Sequence, residues 1–493
     1  MKMNWKTGLT KKVAALGLSL TLMVPVLAAC GGGNDESAKT EQVLRIGTMN
    51  NYGGDDSWLR QQYTDLFEFA NKNVKIEFVQ VVEQNYYGRM AEDTSQPEKQ
   101  PDPFEEMKKA MTGPNPPDIV MMEYNQLQKF IDDNLLSPLD PKITKDKFDT
   151  SDIVPAVIDG IKDMGGGKLY ALAPSFSASA LFYNKALFDG LGVTYPEDNM
   201  TWDQIFELAK RLKSGTGDNE KWGFSFSNYM GGDPFWDMNV YTAPLNLSMF
   251  DEKFEKLTVN TPQWAKVWQT IADLNTNKVV PPVPDYSKPQ EPRKDPGPFD
   301  HDNFLSGRVA MTIANYGYIN EIVNANKNAE KLKNFTPVDW DVVTLPTHQE
   351  QPGVGGNVYM SGVMGINAKA QNADLAWEYL KFVNGEDFAK LKSRSSYDIV
   401  SRKSYIQPKE GLSYNVKAFY TLKPVANQEN LYDKQGYYQV QDIGRNKFQE
   451  VLKGTKKIDQ ALKEWETEGN KALQEIKKNP NGGGVSTGGV IYK

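Results

Sequence analysis

The sequence predicts an α/β fold with parallel strand pairing, spread over more than one domain-sized unit. Three observations predict it. The chain has 493 residues, room for two to four units of ~100–200 residues each. Its globular part opens with a strand-like, a helix-like and a second strand-like segment, the order of a βαβ unit. Charged residues make 24% and apolar residues 39% of the chain, and the mean hydropathy is −0.57. That balance suits a soluble protein and not a polytopic membrane protein.

Composition also excludes other classes. With one cysteine and two histidines, neither an intramolecular disulfide framework nor a Cys- or multi-His-based metal centre can be built. A net charge of −7 and a pI near 5.3 argue against a nucleic-acid binder, which usually shows a basic footprint. The 10 Trp, 23 Tyr and 22 Phe, together 11% of the chain, are a surplus that needs a use. No Walker A sequence or His-Glu-x-x-His occurs, so the matching NTPase and zinc-protease readings lack their signatures. His301 sits in Phe299-Asp300-His301-Asp302-Asn303. That stretch reads as a charged loop, because it has no Asp-x-Asp-x-Asp-Gly spacing.

The elements follow in order. Residues 1–29 read as a targeting segment: Lys2, Lys6, Lys11 and Lys12 precede an uncharged stretch, 13–29, shorter than the ~20 residues a spanning helix needs. It ends Leu27-Ala28-Ala29-Cys30, which resembles the lipobox of bacterial lipoproteins, with the alternative an ordinary signal peptide and a coincidental cysteine. Cleavage there removes four lysines and no acids, taking the formal charge from −7 to −11. The Gly-rich, polar stretch 30–41 then reads as a flexible tether. Leu44 to Thr48 alternates as a strand. Leu59, Tyr63, Leu66, Phe67 and Ala70 keep helical spacing, and Val74 to Val79 returns to period two. Residues 92–117 read as a Pro-rich insertion around a short helix, 104–111, followed by a buried strand, 118–122. Thr201 with Gln204 forms a capping box for a helix with stripe Ile205, Leu208, Ala209 and Leu212, ending at Gly215. A second helix is expected over 372–383, with Trp377 in packing. Residues 281–298 hold seven prolines and read as a stiff loop. Residues 442–478 are helical in period, and 481–493 form a Gly-rich tail.

Three segments together carry a family resemblance. They are Gly113-Pro114-Asn115-Pro116-Pro117-Asp118-Ile119-Val120 with Leu136-Ser137-Pro138-Leu139-Asp140; Lys168-Leu169-Tyr170-Ala171-Leu172 through Ala180-Leu181-Phe182-Tyr183-Asn184-Lys185 to Thr201-Trp202-Asp203; and Phe304-Leu305-Ser306-Gly307-Arg308-Val309-Ala310-Met311-Thr312 before Ala376-Trp377-Glu378-Tyr379-Leu380. In this order the chain resembles extracellular solute-binding protein family 1 of ABC importers, the group of maltose- and oligosaccharide-binding proteins. The resemblance implies an α/β, two-lobe, periplasmic-binding-protein-like fold (type II), its lobes joined by crossing segments near 175–180, 349–358 and 400–411. It implies an N-lobe of 42–175 plus 358–405 and a C-lobe of 180–350 plus 410–480. Lipidation of Cys30 would hold the receptor at the outer face of the cell membrane of a Gram-positive bacterium.

A sugar presents polar edges and apolar C–H faces, so its site needs aromatic platforms beside hydrogen-bonding groups. In α/β lobes, ligands sit outside the carboxyl ends of strands. That rule selects Asn50, Asn51 and Tyr52 after the first strand, and Glu123 and Tyr124 after the strand 118–122. It adds Ser175, Phe176 and Ser177 at the first crossing. Asn228, Tyr229, Asp233, Phe235 and Trp236 follow the strand 222–226. Asn315, Tyr316 and Tyr318 follow 309–313, and Gly356, Asn357 and Tyr359 lie beside the second crossing. Trp236, Tyr124 and Tyr316 are expected in the cleft. Phe176, Phe235 and Tyr359 fit core packing equally well, and Glu123 fits either a solvated charge or a sugar clamp. The resemblance implies a monomeric, non-catalytic receptor, with a carbohydrate ligand, permease subunits and the membrane as partners, and with no nucleic acid, cofactor or metal. Two alternatives stay open: a glycosidase, whose two carboxylates would flank the scissile bond, and a glycan-binding lipoprotein without a transporter.

Overall fold

The computed structural model describes residues 41–49, 55–81, 102–283, 296–395, 397–409, 411–425, 431 and 434–478. Cys30, Asn50, Asn51 and Tyr52, the tether, the C-terminal tail, residues 92–101 and most of the Pro-rich loop lie outside them.

The opening βαβ unit is present. β1 (Gln42–Thr48) and β2 (Val74–Gln80) pair in parallel, and the helical stretch between them runs from Ser57 to Ala70. Its middle, Arg60–Thr64, is wound as a π-helix. β3 (Ile119–Met122) joins the other edge of β1, also in parallel. β4 (Ala171–Leu172) and β11 (Val363–Ile366) complete a five-stranded sheet of order β2-β1-β3-β11-β4. β11 is antiparallel to both of its neighbours. Leu44, Ile46, Ile119, Val120 and Met364 are buried in this sheet, beneath Phe67 and Tyr379 of the covering helices.

The second sheet is built on β5 (Ser175–Asn184). Its first half, Ser175 to Ala178, is flanked by β10 (Val358–Ser361) and β12 (Ile399–Val400). Its second half, Ser179 to Asn184, is flanked by β7 (Val309–Asn315) and β8 (Trp340–Val343). All four partners run antiparallel to β5, and β6 (Trp222–Ser225) pairs in parallel with β7. A short parallel pair, β9 (Val354–Gly356) with β13 (Lys423–Pro424), lies apart from both sheets.

Two apolar cores fill the structure. The second holds Trp202, Phe224, Trp268, Phe448 and Trp465. There the Trp268 and Trp465 rings stack with centroids 5.5 Å apart, and a Cβ at Gly444 would lie 2.4 Å from the Trp465 ring. The first core crosses the expected lobe division: it takes in Phe304, Tyr318, Ile319 and Trp340, which gather around Phe182 of β5. The described residues from Gln42 onward group as one compact unit.

Local chemistry explains most elements. The helix Trp202–Leu212 starts at the expected capping box, with Gln204 N donating to Thr201 Oγ1 at 3.3 Å and Thr201 N to Gln204 Oε1 at 2.8 Å. It stops at Leu212, ahead of Gly215, whose φ of +70° serves the turn that brings Ser214 opposite Lys221. Trp377, in the helix Ala373–Val383, is packed and its indole donates to Asp146 at 2.9 Å. Residues 442–478 are not one helix. Tyr437–Leu452 and Ile458–Lys478 pack as a hairpin, broken where Gly454 takes a φ of +70°. Among the described residues no helix is long and apolar enough to cross a membrane.

Gly362 lets the chain pass from β10 into β11. Its φ is +65°, and a Cβ there would sit 2.7 Å from the Tyr63 ring. Both the left-handed backbone and the close approach require glycine. Gly362→Ala should cost about 1–3 kcal/mol, read as a lower urea midpoint with an unchanged m-value.

Candidate functional site

The carboxyl ends of β1 and β3 face the β10–Gly362–β11 crossing, and a cavity of about 130 Å³ lies between them. Thr48 and Met49 end β1, Met121, Met122 and Glu123 end β3, and Tyr359, Met360 and Ser361 come from the crossing. Trp58 and Tyr63 close it from the helical stretch, their ring centroids 6.2 Å apart. Trp58 is 51% exposed and Tyr359 53%, so each offers an aromatic face to solvent at the rim.

The polar groups are placed by local structure. Glu123 caps the turn Tyr124–Gln126 in a capping box, with its own N–H donating to Gln126 Oε1 at 2.9 Å. The Tyr359 hydroxyl donates to the Glu123 carboxylate, tying the crossing strand to the end of β3. Tyr359 stands opposite Ser177 in the β10–β5 register. Deeper in, Thr48 Oγ1 is buried with no hydrogen-bond partner, an unmet group that a hydroxyl or water in the cavity would satisfy. Met49, Met121, Met122 and Met360 form the rest of the lining. These sulfur-bearing chains adapt to irregular apolar surfaces.

A smaller polar hollow adjoins it behind Tyr63, lined by Ser175, Lys392 and Asp398 among others. Burial raises the Asp398 carboxyl above the usual carboxylate range, while hydrogen bonds from Ser361 and Ser175 and the charge of Lys392 pull it back. Asp398 thus bridges β10 and β5 immediately before β12.

The other expected residues are distributed unevenly. Tyr124 turns inward: its hydroxyl donates to Gly160 O at 2.9 Å, and burial, aided by Asp163, pushes it up to about 12. Tyr316, expected in the cleft, is only 4% exposed. It packs edge-on to Phe419 at 5.3 Å, with Lys409 Nζ 4.7 Å from its ring centroid. Tyr318 is buried too and donates to Asp302 at 2.8 Å. Asp302 is itself no solvated loop charge. It also accepts from Asn228 Nδ2 and from the N–H groups of Phe304 and Leu305. Phe176 and Phe235 are core residues. Asp233 is committed at both oxygens, to Phe235 N as a helix cap and to Arg445 as an ion pair. Trp236 is half-buried against Phe235, ring centroids 5.3 Å apart. Gly356 is held in the β9–β13 pair, where a Cβ would lie 3.1 Å from two carbonyl oxygens. Asn357, Asn315 and Tyr229 are exposed, Ser175 and Ser177 half-buried. The structure thus brings together Glu123, Tyr359 and the β5 serines. Sequence reasoning missed Trp58, although it lies in the first strand–helix connection and the strand-end rule covers it. Among the described residues no group of three or more His, Cys, Asp or Glu is placed to hold a metal.

Strand ends converging on a crossing segment that leads from one sheet into the other define a two-lobe binding-protein fold of type II. Solved structures agree. An extracellular solute-binding protein family 1 member from Alicyclobacillus acidocaldarius superposes with a TM-score of 0.60 at 18% identity, over 89% of this chain and 100% of that one. An ABC substrate-binding protein of Listeria monocytogenes, in complex with cycloalternan, superposes with a TM-score of 0.52 at 21% identity, over 88% and 99%. By sequence, the sn-glycerol-3-phosphate-binding periplasmic protein UgpB of Brucella melitensis is 22% identical over 338 residues, 66% of this chain and 72% of its own. The chain belongs to the bacterial extracellular solute-binding protein family, whose model matches residues 51–390.

The Tyr359–Glu123 bond ties two sides of the main cavity's rim together. Tyr359→Phe removes the donor and keeps the ring. It should speed hydrogen exchange at the amides of 358–361 and leave those of β1 unchanged, read by exchange mass spectrometry. Equal exchange in both proteins would deny the bond any role in holding the crossing.

Proposed function

We propose that this chain is a lipid-anchored extracellular receptor of an ABC importer, which captures a neutral carbohydrate, an oligosaccharide, and hands it to the membrane permease. One observation carries the ligand class. The main cavity pairs exposed Trp58 and Tyr359 faces with Glu123 and the buried Thr48 hydroxyl, and its described lining contains no Lys or Arg. Aromatic faces suit sugar C–H surfaces, and carboxylate and hydroxyl groups suit sugar hydroxyls. A phosphate ligand such as the one named for the Brucella melitensis relative would call for Arg, Lys or a cluster of N–H donors. The cycloalternan bound by the Listeria relative is consistent with this reading.

The mechanism is hinge closure. A ligand that touches both lobes only when they approach stabilises the closed state by its differential affinity. The permease would read the closed shape. A lipid on Cys30 supports this role by keeping the receptor beside the permease, since one acyl chain alone binds a membrane marginally and several hold it.

Three measurements test the proposal. In a glycan screen, cyclic and linear oligosaccharides should quench tryptophan emission and compact the protein in solution scattering, while sn-glycerol-3-phosphate should do neither. Trp58→Ala should weaken binding of the best glycan about tenfold, ~1.4 kcal/mol, by calorimetry. Cys30→Ser should move the protein from the membrane fraction to the medium. Release of shortened sugars on overnight incubation would replace the receptor reading with the glycosidase one.

A further inference from the structure

A second cavity, of about 20 Å³, lies in the other half of the structure, past the carboxyl end of β6. That is room for one water-sized group. Tyr229, 53% exposed, stands at its mouth with Gly231 and Gly232. Inside, hydrogen-bond acceptors outnumber donors. Asn303 is only 2% exposed, and its Nδ2 donates to Tyr229 O at 3.2 Å, which fixes the amide and leaves Oδ1 buried with no partner. Asn275 gives one Nδ2 hydrogen to Ile271 O at 2.8 Å, which fixes the amide, and its side-chain oxygen has no hydrogen bond among the described residues. The Ser225 hydroxyl donates to Ser227 O at 2.6 Å. The third acceptor is the carboxylate of Asp237, in the helix Pro234–Thr242, which has neither a hydrogen bond nor an ion pair among the described residues. The nearby Arg445 is bound to Asp233, not to Asp237.

We infer that this cavity binds a primary ammonium group, held by the Asp237 carboxylate, Asn303 Oδ1 and the Asn275 side-chain oxygen. An –NH₃⁺ group supplies three donors for three acceptors and a charge that balances Asp237. A single water supplies two donors and no charge. The ammonium comes either as a free ion or as an amine on the captured solute. In the second case the inference rests on the receptor function proposed above and replaces its neutral solute with a carbohydrate that carries a cationic amine.

The electrostatics agree. Burial first, and then the charge of Asp233, push the Asp237 carboxyl up to about 7. The charged group that acts on it is Asp233 on the same helix, which is itself paired with Arg445. A protonated Asp237 is neutral and offers a donor where the ammonium needs an acceptor. Ammonium affinity should therefore rise about tenfold per pH unit as pH climbs toward 7, then level off. The same raised carboxyl means that the native state holds its proton more tightly than the unfolded chain. Stability from this group is full at low pH and is lost as pH rises from about 4 through about 7. Asp237→Asn should flatten that slope.

The test is thermal unfolding of the full chain in detergent, at pH 6 and pH 8 and constant ionic strength, with ammonium, methylammonium, potassium or tetramethylammonium chloride, and with glucosamine oligosaccharide against its N-acetylated form. Ammonium and methylammonium should raise the midpoint at pH 8, more than at pH 6, with no gain over tetramethylammonium in Asp237→Asn. A rise with the amino sugar alone assigns the ammonium to the solute. An equal rise with potassium, or none with any amine, overturns the inference. So does an unchanged Asp237 titration, followed by carbon-13 resonance, on adding methylammonium. The neutral-glycan fluorescence titration at the main cavity reads the receptor proposal separately, so the two can fail independently. Should Asp237→Asn unfold, Asn275→Leu removes a neutral acceptor and should weaken the methylammonium response at least threefold.

Discussion

Everything in this molecule hangs on β5. The strand is ten residues long, about 33 Å of extended chain, and it is hydrogen-bonded along both edges over almost its whole length. Its first half belongs with the crossing strands β10 and β12, and its second with β7 and β8. Phe176 and Phe182 of this one strand are both fully buried, so shifting its register by one residue would move both rings to the opposite face of the strand. The position of the main cavity follows, because the β10 register on β5 sets where Tyr359 meets Glu123.

The main cavity lies where the chain passes from one sheet to the other. β10 leaves β5, turns at Gly362 and enters the first sheet as β11 within a few residues. The same bend puts Tyr359 and Ser361 at the cavity and packs the backbone against Tyr63. A ligand at the rim would touch the segment through which the two sheets communicate. Asp398, tied by hydrogen bonds to Ser361 and Ser175, adds a polar bracket across these strands.

Much of the fold was legible because burial leaves a period. The βαβ opening, the capping box at Thr201 and the packed helix of Trp377 all show in local pattern. The crossings came instead from resemblance, since residues 175–184 alternate no differently from an ordinary strand. The site was half legible. The strand-end rule located the loops, and Glu123 and Tyr359 meet there. It could not say which way an aromatic points. Tyr316 and Tyr318 follow β7 as expected, yet Phe419 and the buried Asp302 draw them into the core. Asp237 and Asn303 were invisible because they come from distant segments and nothing in either neighbourhood marks burial. The helical period read over 442–478 belongs to two helices, with the break between them at Gly454.

The four methionines around the main cavity make its character a matter of history as well as of sequence. Oxidation would turn each thioether into a polar, chiral sulfoxide, and three of the four, Met49, Met122 and Met360, are buried where a new S–O dipole has few partners. Two preparations of the same chain, one kept reduced and one aged in air, would then present different cavities to the same solute. In the proposed setting, outside the reducing cytoplasm, the state of those sulfurs would set how long such a receptor stays serviceable.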